Sequence, residues 1–289
     1  MRLVTLREPG GDRPGAVLRA SDGTDRVLDL ADRTGGRGIE VVLSDDRLLA
    51  EVRTSVSAAD PDGLPGLDSV RLGPPVRPGK ILCLGYNYRG HLETADDPEH
   101  PNVFVKTPNV LCGPDDPVTL WSTTPDVDYE GEIAVVIGRR AHRVSEADAL
   151  DHVGGYTLFN DVSDRDWQSR TNQWALGKSV DGFGPLGPWL VTTDECGDLR
   201  GRSVEVERNG EVTVRSTTDA MVFGVAFLVH YLSQVITLEP GDVISTGTPA
   251  RTAAAHAAHR PLTSGDVVTV RVTGLGALTT TFVSEEENA

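Results

Sequence analysis

"PDVDYEGEIAVVIG", residues 125–138, carries four acids into an apolar run. Residues 133–137 read as a strand buried inside a sheet, with Tyr129 also inside at its start. Asp126, Asp128, Glu130 and Glu132 crowd the approach to it. Residues two apart in a strand point to the same face, so Glu130 and Glu132 stand side by side, roughly 6–7 Å apart. Two carboxylates that close repel each other unless a cation, a proton or water intervenes. The stretch asks for a metal ion at the mouth of a core strand. A further ligand must then arrive from elsewhere in the chain.

Composition bounds the answer. The chain has 289 residues and a formal net charge of −16. That length allows one large domain, or a main domain with a smaller appendage, and a sizeable core. So acidic a surface argues against nucleic acid or an anionic membrane as partner. No run of 18 apolar residues is present, hence no transmembrane helix is expected. The first residues, "MRLVTLREPGGDRPG", lack the apolar core of a signal peptide. The three cysteines (83, 112 and 196) are widely spaced without a CxxC pair. This fits a reduced, cytoplasmic chain and excludes a cysteine-based zinc site.

The organisation is β-rich, a mixed α+β chain with long excursions between strands. Residues 1–75 are expected to form a small N-terminal β-rich subdomain, with "RLVTL", "GAVLRA" and "RVLDL" as short strands and 40–56 as a helical piece. Residues 76–289 are expected to form the second, larger domain. From "KILCLGYNY" (80–88) apolar strands punctuated by glycine take over. Further strands are expected at 103–105, 117–121, 131–137, 154–160, 187–192, 203–208, 211–215, 242–246, 266–273 and 277–283. Helices are expected at 145–153, at 163–171 and, with apolar residues almost all round, at 221–236.

A third acid follows about thirty residues after the glutamates, in "GGYTLFNDVSDRDWQ" (154–168). Asp161 ends an apolar strand and can meet the glutamate pair from a neighbouring strand. Three carboxylates plus waters suit a hard divalent ion, Mg²⁺ or Mn²⁺. The bland alternative is an exposed strand face for the glutamates and a helix cap for Asp161. Lys178 lies in a Gly-rich segment between apolar anchors, "NQWALGKSVDGFGPLGPWLV". "GDVISTGTPA" ends a strand in a Gly-Thr-Pro turn at Thr248, and His91 lies just beyond the strand of "LGYNYRGHLE".

Taken together, "DYEGEIAVVIG", "NDVSDRD", "LGKS", "LEPGDVISTGTP" and "VTGLGAL", in that order over about 78–283, resemble the fumarylacetoacetate hydrolase family. The resemblance implies a mixed β-sheet and partly open β-roll around a metal, usually in a homodimer. It implies cleavage, decarboxylation or isomerisation of a small anionic 2-oxo or 1,3-dicarbonyl acid. Carried over, Glu130, Glu132 and Asp161 match the metal carboxylates. Arg165, Gln168, Lys178 and Thr248 match positions that bind the substrate carboxylate and oxo group. His91 matches the histidine of a segment that closes over the site.

Two departures bear on the reaction. Hydrolytic relatives place a glutamate three residues after the histidine, where this chain has Thr94; the nearest acid is Glu93. On a helix, positions two apart do not share a face. Glu93 therefore replaces the missing acid only from a loop. The continuation after Thr248, "RTAAAHAAHRP" (251–261), is Ala-rich where a Gly-rich stretch is usual, so Arg251 alters the pocket rim. The acidic "ETADDPEHP" (93–101) reads as a lid or a solvated loop. Hydrolysis of an acylpyruvate-type C–C bond, with His91, Glu93 and Lys178 as catalytic residues, is the default expectation. Oxaloacetate-type decarboxylation, or enol or double-bond isomerisation, is the alternative.

Overall fold

The computed structural model describes residues 1–90 and 97–288. The strand Gly131–Ile137 lies inside an eleven-stranded sheet, between Val153–Asn160 and Val243–Ser245. Its side chains alternate between two cores. Ile133, Val135 and Ile137 enter one apolar cluster, while Ala134 and Val136 enter another. A strand covered on both faces needs a continuous apolar run, which is what this sequence supplies.

The sheet continues from Val243–Ser245 through the parallel strand Ile81–Gly85 to Asn102–Lys106 at one edge. In the other direction it runs through Val153–Asn160 and Gly184–Thr192 to Arg2–Leu6, Arg13–Arg19 and Asp25–Asp29. The N-terminal strands thus extend the main sheet through the pairing of Arg2 and Leu3 with Val191 and Leu190. A second sheet of five strands, Glu211–Thr217, Ser203–Arg208, Val267–Val272, Gly276–Ser284 and Val118–Leu120, packs on one face. Val206, Val270 and Phe282 from it share the first cluster with Ile133 and Leu158. The sheets approach closely at Gly131, where an added Cβ would fall 2.6 Å from the Val206 side chain. On the opposite face, helices Ile39–Ser44 and Asp46–Ala58 bury Ile39, Val42 and Leu48 against Ala134 and Val243.

Expected strands fall on observed ones throughout, but helices differ. The 40–56 piece is two helices, because the Asp45 side chain accepts the N–H groups of Arg47 and Leu48 and starts a second. At 145–153 there is only the 3-10 turn Ala149–His152, after which the chain joins the sheet. At 163–171 a two-residue bridge, Ser163–Asp164, precedes the helix Arg165–Ser169. The helix Val225–Ser233 buries one side, while Phe223, Phe227 and Tyr231 form a half-buried stack on another, with centroids 5.2 and 5.7 Å apart. The three cysteines are buried and free.

Candidate metal centre and substrate cavity

Glu132 is the second residue of its strand and is 2% exposed. Its Oε2 accepts the Ser245 hydroxyl at 2.5 Å and the Gly247 N–H at 2.9 Å. Gly247 has φ +90, and a Cβ there would stand 2.9 Å from the Leu84 carbonyl oxygen, so only glycine brings this N–H to the carboxylate. Both donors take one oxygen. Among the described residues Oε1 has no hydrogen-bond partner, although Glu132 lines a cavity of about 170 Å³.

Glu130 lies one step before the strand and is half-buried. Lys178 Nζ reaches its Oε2 at 2.5 Å and Arg165 Nη2 its Oε1 at 2.6 Å. Asp161 follows the strand Val153–Asn160, and its N–H donates to the Glu130 carbonyl at 2.8 Å. That backbone bond fixes the two acids relative to each other. Asp161 Oδ2 accepts Lys178 Nζ at 2.7 Å, and its Oδ1 accepts Lys106 Nζ at 2.5 Å. One carboxylate oxygen from each of Glu130, Glu132 and Asp161 lies within 4.8 Å of the other two. The glutamates are no exposed strand face, and the helix Arg165–Ser169 is capped by Asp164, not by Asp161.

The supporting elements are close-packed. Lys178 ends the short helix Ala175–Lys178 and is buried. A Cβ on Gly177 would lie 2.5 Å from both the Asp164 carbonyl oxygen and the Gln168 N, so this helix docks backbone to backbone on Arg165–Ser169. Arg165 is anchored from behind, by Asp128 Oδ2 at 2.8 Å from Nη2. Its Nη1 donates to Gln168 Oε1 at 2.9 Å. Asp128 Oδ1 accepts Arg251, so one buried carboxylate holds two guanidinium groups. Phe104 and Trp174, with centroids 5.4 Å apart, form an aromatic wall, and Lys178 Nζ lies 4.7 Å from the Phe104 centroid.

These contacts shift the titrating groups. Burial, together with the charges of Asp161 and Glu130, pushes the Glu132 carboxyl well above the usual range. Burial acts the same way on Glu130, but the Arg165 and Lys178 charges outweigh it and hold that carboxyl well below. Lys178 is opposed by burial, yet Asp161 and Glu130 overcome this and keep it protonated. Lys106 is lowered by burial, against the pull of Asp161. The donor set fits a hard divalent ion. It consists of carboxylates only, and one oxygen of Glu132 has no hydrogen-bond partner among the described residues.

The structure brings most of the expected site residues together. Glu130, Glu132, Arg165, Gln168, Lys178 and Thr248 line the 170 Å³ cavity, and Asp161 is bonded to Lys178 beside it. His91, Glu93 and Thr94 lie outside the described residues. Asp126 contributes backbone contacts to Asp164 and Arg165 and stands apart from the cluster. Sequence reasoning missed Lys106, which is fully buried and also donates to the Val162 carbonyl at 2.8 Å. Its one signal is a lysine closing the apolar strand Asn102–Lys106. A second cavity of about 450 Å³ adjoins the first, sharing Glu130, Arg165 and Thr248 and walled by Arg251 and His256.

Residues 80–283 match the model of the fumarylacetoacetate (FAA) hydrolase C-terminal family. A human mitochondrial oxaloacetate tautomerase is 37% identical over 96% of this chain and 90% of its own length. A fumarylacetoacetate hydrolase from psychrophilic Exiguobacterium antarcticum superimposes with a TM-score of 0.82 at 33% identity, over 99% of this chain and 100% of the other. A 5-carboxymethyl-2-hydroxymuconate delta-isomerase from Mycobacterium smegmatis gives 0.77 at 32% identity, covering 99% of both chains.

Proposed function

The chain belongs to the fumarylacetoacetate hydrolase family of enzymes, and on that premise we propose that it enolises a small 2-oxo acid with a bound Mg²⁺ or Mn²⁺. Keto–enol interconversion of an oxaloacetate-type acid is the reaction we assign. The observation that carries this reading is the meeting of Glu130, Glu132 and Asp161 within 4.8 Å beside a buried ammonium. Held by these carboxylates, the ion supplies Lewis acidity to a 2-oxo oxygen and stabilises negative charge there.

The chain's own groups hold and polarise the acid, while the proton lost from the carbon beside the oxo group, and regained on ketonisation, is exchanged with solvent water. An ammonium has three donors; Lys178 spends two on Glu130 and Asp161, which leaves one for a substrate oxygen. With two of its hydrogens directed at carboxylates, Lys178 serves as a donor to the developing enolate. Gln168 accepts from Arg165 through Oε1, so its amide N–H₂ is left for the substrate carboxylate. The Thr248 hydroxyl at the cavity wall offers a further donor. Phe104 and Trp174 keep the reacting end dry, which strengthens each of these interactions. The human relative named an oxaloacetate tautomerase supports the choice of reaction.

Hydrolysis of an acylpyruvate C–C bond is the second reading. The adjoining 450 Å³ cavity, which leaves room for an acyl group, favours it, as does the name of the Exiguobacterium relative. The two are separated by incubating the Mg²⁺-loaded protein with enolic oxaloacetate, acetylpyruvate and fumarylpyruvate. The proposal predicts accelerated loss of the enol's ultraviolet absorbance without release of CO₂ or a second acid. Two acids from fumarylpyruvate with oxaloacetate inert establishes the hydrolase, and no reaction with any of the three overturns both.

A further inference from the structure

The inner cavity, at about 170 Å³, is smaller than the roughly 300–1,000 Å³ of ordinary ligand clefts. It holds the reacting 2-oxo acid end. Past Thr248 and Arg165, which line both spaces, the room for the rest of a substrate continues into the outer cavity of about 450 Å³. What waits there is a cation. Arg251 is 18% exposed, lines the outer cavity, and lies over the Tyr129 ring with its guanidinium carbon 4.7 Å from the centroid. Only its Nη2 is engaged, by Asp128 and by the Tyr129 carbonyl oxygen at 3.2 Å. Nε and Nη1 have no partner among the described residues.

The pairing of charges points the same way. Among the described residues the cluster contains four acids, Asp128, Glu130, Glu132 and Asp161, and four bases, Lys106, Lys178, Arg165 and Arg251. Asp128 is already shared between Arg165 and Arg251. The Arg251 charge is therefore only partly compensated, and it is held in place before any ligand arrives. A guanidinium with free donors on a cavity wall is matched by a carboxylate.

We infer that Arg251 is a specificity-determining residue that binds a second, distal carboxylate, so that the enzyme selects 2-oxo acids carrying two carboxylates over monocarboxylates. The inference rests on the 2-oxo acid reading and holds for either reaction. A rigid cation stacked on Tyr129 loses little freedom when it captures the distal group. It touches the end of the substrate away from the bond changes, so it governs KM more than kcat.

The test uses the metal-loaded full chain with Arg251→Gln and Arg251→Lys. Steady-state kinetics are measured on oxaloacetate and fumarylpyruvate, both of which carry a distal carboxylate. Calorimetric binding of oxalate, which mimics the oxo-acid end alone, is measured in parallel. We expect Arg251→Gln to raise KM for the diacid that is turned over by about ten- to a hundredfold. Oxalate affinity should stay at the wild-type value, and Arg251→Lys should recover part of the loss. An unchanged KM in Arg251→Gln, with an active wild type, overturns this inference and leaves the 2-oxo acid reading standing. Parallel losses for the diacid and for oxalate also overturn it, since Arg251 then acts only by holding Asp128 and Arg165. A wild type that neither turns over a 2-oxo acid nor binds oxalate removes the inference together with the reading beneath it.

Discussion

The inner and outer cavities share Glu130, Arg165 and Thr248 but are built differently. The inner one is walled by ends of main-sheet strands. Glu132 is placed by register with Phe159, Ser245 opposite Ala134, and Asp161 by a backbone bond to Glu130. Its cations are buried and paired. The outer one takes its far wall from residues after the Gly-Thr-Pro turn, including the five-residue helix Ala253–Ala257, whose surface is mostly exposed. Sheet registers fix the chemistry to within tenths of an ångström, whereas a surface loop can change without disturbing them. The difference separates what the enzyme does from what it does it to.

That contrast can be broken by substitution. The largest effect is expected at Asp161, which pairs two buried ammoniums. Asp161→Ala leaves Lys106 and Lys178 under-compensated, and removing one partner of such a buried pair costs about 3–5 kcal/mol of stability. Urea unfolding should show this loss together with absent metal-dependent activity, while a wild-type midpoint would mean the lysines find other partners. Lys178→Ala should lower kcat/KM by about ten- to a hundredfold through one charge-assisted hydrogen bond. Near wild-type kinetics would exclude Lys178 from contact with the substrate. Gly177→Ala forces apart two helices in backbone contact and should destabilise by about 1–3 kcal/mol in a thermal melt. No change would show that the docking can relax. Smallest of all, His256→Ala on the outer wall should alter stability by no more than about 0.5 kcal/mol. A loss as large as that of Gly177→Ala would show the outer wall to be as tightly built as the inner.

Much of this was legible in the sequence because the relevant signals are local. The continuous apolar run of residues 133–137, the strand end before Asp161 and the Gly-Thr-Pro turn each mark a position on an element. Lys106 was not legible. Its partner Asp161 is 55 positions away and is reached only through the sheet order, which places Ile81–Gly85 and Val243–Ser245 between Asn102–Lys106 and the glutamate strand. Asp128 was visible as one of four acids. Its role as anchor for two arginines depends on Arg251, 123 positions on. The single helix expected over 40–56 failed for a local reason, since Asp45 caps a second helix instead of continuing the first.

Whether Glu130, Glu132 and Asp161 hold one divalent ion is read out by calorimetric titration with Mn²⁺. Glu132→Gln is the informative variant. It preserves shape, and its carbonyl oxygen can still accept from Ser245 and Gly247 while one negative charge is lost. One Mn²⁺ site, competed by Mg²⁺, is expected in the wild type, with no measurable binding in Glu132→Gln or in a matching Asp161→Asn. Wild-type affinity in both variants would contradict this expectation.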